Sequence, residues 1–235
     1  MPSGHYFVLL GNYLTCMCVK QNTIYCIPGL GFDQRIFDGL RLSNCQLMHL
    51  KWLEPLKGEQ LPDYARRMSQ AIDKDEPITL LGYSFGGLVA QEIAAHRAVD
   101  KVLLLSSIKD RKELSPLFRQ VAPWKLYLLF QKGVALRLLQ LWGANHGFSH
   151  SETAFFRDML SHLSNYYFQW GLRSISEWQI PKLPSATQVI HIHGTRDRPF
   201  PIRYLKNVDI TVEGGDHMMI YKQPQVIAKI LQRSF

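Results

Sequence analysis

The heptapeptide Leu81-Gly82-Tyr83-Ser84-Phe85-Gly86-Gly87 narrows the folds open to this chain more than any other stretch. The apolar run Ile78-Thr79-Leu80-Leu81 before it reads as a buried strand, and Leu88-Val89-Ala90-Gln91-Glu92-Ile93-Ala94-Ala95 after it has helical character. A strand that enters a helix through so short a turn holds the residue at the apex in a strained backbone conformation. It also brings the flanking segments close together, and glycines at 82 and 86, lacking a Cβ, fit where other residues would clash. Ser84 would then stand at a helix N-terminus, whose free N–H groups favour developing negative charge.

Around this turn the chain alternates short apolar runs with helical patterns. Strands are expected at residues 23–27, 46–53, 100–107, 187–193 and 208–212, and helices at 61–72 and 224–232. Runs this continuously apolar, separated by helices, predict an α/β fold with a mainly parallel sheet covered on both faces. Residues 6–10 and 15–19 read as two short strands about the turn-prone pair Gly11-Asn12. The alternation stops near Ile108. From there to Ile180 the sequence reads as helical and rich in large apolar residues, at 124–130, 134–142 and 155–170. The expected organisation is one core from residues 1–107 and 181–235, with 108–180 inserted as a helical lid or cap.

The formal charge of +8 predicts attraction to anionic partners, such as a coenzyme A ester, an acidic carrier protein or a lipid surface. No dense Lys/Arg run or nucleic-acid motif appears, so no nucleic-acid partner is expected. Cys16, Cys18, Cys26 and Cys45 lie in the first fifth of the chain, without a second Cys or His pair at zinc spacing. Reduced thiols in a cytoplasmic protein are the expectation. No transmembrane segment is expected, because no apolar run is long enough. The first residues lack the basic region of a signal peptide.

A serine hydroxyl is a weak nucleophile and needs a base, which in turn needs an orienting acid. Two later strand-like runs end in Gly194-Thr195-Arg196-Asp197 and Gly214-Gly215-Asp216-His217. Strand C-termini of an open parallel sheet line one edge, so Ser84, Asp197 and His217 would project there together. Asp110 and Asp216 are the competing acids. His191 and His193 alternate onto one strand face; with no carboxylate cluster nearby they read as buried strand histidines rather than a metal pair. His146 and His150 read as surface or lid residues. Trp124, Tyr127, Phe130 and Trp142 read as lid core or pocket wall.

Four motifs in register, Pro28-Gly29-Leu30-Gly31, Gly82-Tyr83-Ser84-Phe85-Gly86, His193-Gly194-Thr195-Arg196-Asp197 and Gly214-Gly215-Asp216-His217, resemble the α/β-hydrolase superfamily over nearly the whole chain. The resemblance implies that Ser84 is the nucleophile, His217 the general base and then acid, and Asp197 the orienting acid. It places the oxyanion hole at the backbone N–H groups of Leu30 and Phe85, and implies neither cofactor nor metal. Pro28 stands where the family often has histidine, and the segment before residue 23 is short enough that an edge strand is expected to be reduced or missing. The implied activity is a serine hydrolase acting on a small-molecule ester or thioester with an apolar acyl group, coenzyme A- and carrier-linked thioesters included. The elbow also resembles those of thioesterases and of a C–C-processing synthase of menaquinone biosynthesis. A lyase using the same triad, or a binding protein of this fold with weak turnover, are the alternatives.

Overall fold

A computed structural model of the chain describes residues 6–10, 13–17, 22–73, 78–145 and 148–234. Strands β1 (Tyr6–Leu10) and β2 (Tyr13–Met17) pair antiparallel as a two-stranded sheet of their own. The main sheet is built from β3 (Asn22–Ile27), β4 (Cys45–His49), β5 (Thr79–Tyr83), β6 (Lys101–Leu105), β7 (Gln188–Gly194) and β8 (Ile210–Val212). All five pairings are parallel, in the order β4-β3-β5-β6-β7-β8. The N-terminal strands are therefore not part of the main sheet, in keeping with the short segment before residue 23.

Side chains alternate across this sheet, and both faces are dry. Leu80, Val102 and Leu104 pack with Tyr64 and Met68 of helix α1 (Leu61–Met68) and with Leu88 and Val89 of α2 (Phe85–His96). Leu81, Leu103 and Leu105 pack on the other face. Their partners include Ile227 and Leu231, which belong to the closing helix. Each such side chain contributes about 1.5–3 kcal/mol by leaving water, so continuous apolar strands are what a doubly covered sheet requires. Cys26 and Cys45 are free and buried in this second layer.

Two differences from the sequence-based expectation have physical causes. The strand expected at 46–53 ends at His49. Leu50 donates one more bond to the Cys26 carbonyl, and the chain then leaves the sheet so that Trp52 stacks on Phe85 and donates from Nε1 to the Phe32 carbonyl. The helix expected at 124–130 is only a single 3-10 turn, Leu126–Leu128. Pro123 supplies no N–H, and Lys125 adopts a left-handed φ of 51°, so helical bonding cannot run through them.

Between the adjacent strands β6 and β7 the chain forms α3 (Lys132–Asn145), α4 (His150–Ser161) and α5 (Asn165–Glu177). Ser149 and Ser164 cap the last two, Ser149 through a reciprocal box with Glu152. The return to β7 is irregular and is pinned to α2 by Trp178, whose Nε1–H donates to Glu92 at 2.7 Å. Burial holds the Glu92 carboxyl above its ordinary range, partly offset by that bond. Trp124 and Phe130, read from sequence as lid core or pocket wall, are instead exposed. His150 opens α4 on the surface, while His146 and the Trp142 side chain lie outside the described residues. The chain ends in α6 (Met219–Lys222) and α7 (Pro224–Gln232).

Candidate active site

Ser84 sits between β5 and α2 with φ 53° and ψ −120°, a left-handed φ that a non-glycine residue adopts only when its surroundings enforce it. The enforcement is visible. The Ser84 N–H donates to the Leu105 carbonyl, and its own carbonyl accepts from the Gly87 N–H and from the Ser107 hydroxyl at 2.7 Å. A Cβ on Gly82 would lie 2.5 Å from the Gly86 oxygen, and one on Gly86 would overlap the carbonyls of Ile27 and Pro28. The two glycines are thus required by close backbone approach, as the sequence pattern predicts. Gln91 ties the turn to the following loop by donating to the carbonyls of Gly87 and Ile108.

The structure brings Ser84, His217 and Asp197 together. The Ser84 Oγ lies 3.0 Å from His217 Nε2, and His217 Nδ1 lies 2.8 Å from Asp197 Oδ2. A carboxylate can only accept, so Nδ1 carries a proton, and in the neutral ring Nε2 faces the serine as an acceptor. All three side chains are buried. Burial raises the Asp197 pKa, but the charge and hydrogen bond of His217, the nearby His193 and the Phe200 N–H outweigh it and hold the carboxyl below its ordinary range. His217 is steadied by Tyr83, whose hydroxyl donates to the His217 carbonyl at 3.0 Å, and by the edge of Phe200.

The competing acids are committed elsewhere. Asp110 caps the turn at Arg111–Glu113 by accepting from the Lys112 N–H. Asp216 accepts from the Met218 N–H and pairs with Lys222 at 2.6 Å. Gly29 and Phe32 close a turn, with Gly31 at φ 91° and Leu30 at a negative φ, the pattern of a type II turn. Among the described residues neither the Leu30 nor the Phe85 N–H has a protein acceptor. Phe85 opens α2, where an unpaired N–H and the helix dipole coincide.

His191 and His193 do share a strand face and are fully buried, with rings edge to face at 5.3 Å. Each donates from Nε2 to a carbonyl, His191 to Ser107 and His193 to Phe200, and among the described residues each leaves Nδ1 without a partner. Desolvation first, then neighbouring positive charge, pushes the His191 pKa down to about 3, and burial lowers that of His193. His193 Nε2 is also 3.5 Å from Asp197 Oδ2. These neutral histidines brace the site from beneath: His191 holds Ser107, which holds the Ser84 carbonyl, and His193 holds Phe200, whose N–H holds Asp197. The sequence reading missed Ser107, and the pair Ser106-Ser107 at the end of an apolar strand was the signal available. Among the described residues no group of three or more His, Cys, Asp or Glu side chains is placed to hold a metal.

The profile of the alpha/beta hydrolase family matches residues 24–230, and the chain belongs to that family. Several solved structures have the same fold. A bromoperoxidase from Bacillus anthracis superposes with a TM-score of 0.70 at 16% identity over 90% of this chain and 91% of that one. An esterase from Exiguobacterium antarcticum gives 0.67 at 15% over 91% of each. A lipase-esterase related protein from Clostridium acetobutylicum gives 0.63 at 19% over 97% of this chain and 98% of that one. No curated protein matches the sequence.

Proposed function

We propose that this protein is a serine hydrolase that cleaves a carboxylic ester or thioester through an acyl-enzyme. The observation that carries the reading is the continuous relay from Asp197 through His217 to a serine held at positive φ. Ser84 Oγ attacks the substrate carbonyl carbon while His217 Nε2 takes its proton, and Asp197 stabilises the imidazolium. The resulting oxyanion is held by the N–H groups of Leu30 and Phe85. His217 returns the proton to the leaving oxygen or sulfur as its bond to the acyl carbon breaks. Water, deprotonated by the same histidine, then releases the acid and regenerates Ser84.

Residues 108–180 act as the lid. Trp170 packs edge to face on Phe85, Gly171 lies against Leu30, and Phe156 and Leu160 approach Phe32 and Gly31. This apolar cover over the elbow favours an apolar acyl group. Beside the Asp197 loop, a cavity of about 440 Å³ is lined by Arg196, Arg198 and Arg203, a lining suited to an anionic leaving group such as coenzyme A.

A fluorophosphonate probe should label the wild type and not Ser84→Ala, with turnover then measured on esters and thioesters of increasing acyl length. Absence of labelling in folded wild type at neutral pH overturns the reading. Labelling without turnover on any ester or thioester points to the C–C-processing alternative or to a binding protein of this fold with weak turnover.

A further inference from the structure

Between β6 and β7 the chain presents an apolar surface that nothing within the described residues covers. Trp124, Leu129, Phe130, Val134, Leu138 and Leu141 are between 46% and 73% exposed. They lie within residues 124–141, from just before the 3-10 turn through most of α3, and Phe130, Val134, Leu138 and Leu141 recur at helical spacing. Scattered exposed apolar residues are ordinary, but seven in one short segment, Leu128 included, are not. Leu139 of α3 packs inward against the second core layer, so the helix is apolar on its outer side as well as its inner one.

The charge on this segment is one-sided. From Leu114 to Ser151 there is no Asp or Glu, whereas Arg119, Lys125, Lys132 and Arg137 are present. Lys132 is occupied in holding the carbonyls of Ser161 and Leu163. Lys125 and Arg137 are exposed among the apolar side chains. A second copy fits poorly, because a two-fold interface would set this acid-free cationic face against itself. Apolar side chains interleaved with basic ones match a surface that is anionic outside and apolar beneath.

We infer that the face formed by residues 124–141 docks this protein on the surface of an anionic lipid bilayer. Trp124, Leu129 and Phe130 enter the headgroup boundary, and Lys125 and Arg137 meet lipid phosphates and carboxylates. No described helix is long and apolar enough to cross a membrane; in the inferred docking the protein lies on the bilayer. Gln169 of α5 donates to the Leu128 carbonyl, while Trp170 of the same helix packs on Phe85. The docking face is thus the outer side of the cover over Ser84.

The test is co-sedimentation of the whole chain with vesicles of phosphatidylcholine, with and without phosphatidylserine. Wild type should bind the mixed vesicles, bind the neutral ones at least about tenfold more weakly, and dissociate as salt rises. Lys125→Glu with Arg137→Glu should weaken binding by about fivefold or more per charge. Leu129→Glu with Leu138→Glu should abolish it, with unchanged thermal melting, since all four positions are exposed. In the bound state brominated lipid should quench tryptophan emission, and Trp124→Phe should remove most of that quenching. Failure of wild type to bind mixed vesicles, or equal binding to both vesicle types, overturns the inference. So does a concentration-dependent dimer that Leu138→Glu dissociates while leaving vesicle binding intact. None of these readouts depends on turnover at Ser84.

Discussion

The assignment of Leu30 as an oxyanion donor can be tested by an unusual substitution, Leu30→Pro. Backbone donors resist mutagenesis because changing a side chain leaves the N–H in place. Here the local geometry offers a way round. Gly29 to Phe32 follow the pattern of a type II turn in which Leu30 holds the second position, where such a turn sets φ near that of proline and proline is favoured. Among the described residues its N–H has no protein acceptor to lose. The variant therefore deletes one donor with little backbone cost. Loss of one oxyanion donor lowers kcat by about 10²–10³, or about 2.7–4 kcal/mol of barrier. The side chain also leaves its place against Gly171, so Leu30→Ala serves as the reference that keeps the N–H. The assay is steady-state hydrolysis of a soluble p-nitrophenyl ester by both variants, with melting curves to show that each is folded. Proline should lie about 10²–10³ below alanine in kcat, with similar KM, because the bond forms only as charge develops. Equal kcat values for the two variants would refute the assignment.

Further expectations concern the relay and its supports. In Asp197→Asn the Phe200 N–H should select the amide oxygen, turning the NH₂ towards His217 and forcing the wrong tautomer. kcat should fall about 10⁴-fold, whereas a larger loss in Asp110→Asn than in Asp197→Asn would transfer the role to Asp110. Ser107→Ala removes the bond to the Ser84 carbonyl and should cost about 1 kcal/mol in urea unfolding together with a severalfold drop in kcat. No change in either would show that the elbow does not need this brace. His191 stays neutral down to about pH 3 in the folded protein, while the unfolded chain protonates it near pH 6.5. Stability should accordingly fall as pH falls through that window, by up to about 1.4 kcal/mol per unit for this residue. Urea titrations from pH 6 to 4 should show a shallower slope in His191→Gln, and an unaltered slope would remove His191 from the account.

The elbow was legible in sequence because its constraints are local: a strand, a helix and two glycines that no larger residue can replace. The loops bearing Asp197 and His217 were legible for a different reason, since each follows an apolar run whose end must lie at one sheet edge. The supports were harder to read. Ser107 and His191 act through single bonds to carbonyls far away in sequence, and nothing in their immediate neighbours announces a partner. Residues 124–141 misled for a further reason. Trp124 and Phe130 are as apolar as core residues, and periodicity cannot tell which side of a segment is covered when both sides are apolar. The left-handed Lys125 likewise depends on tertiary context that the sequence pattern does not carry.

The backbone at Ser84 has a consequence for how such a chain would change over generations. A serine at φ 53° costs about 1–3 kcal/mol relative to a residue at ease there, and glycine is at ease there. Ser84→Gly should therefore raise the melting temperature while destroying the relay. A lineage released from the need for chemistry would drift towards that exchange, since most other substitutions at this turn destabilise the protein. A serine kept in this conformation is then a residue held against the pull of stability.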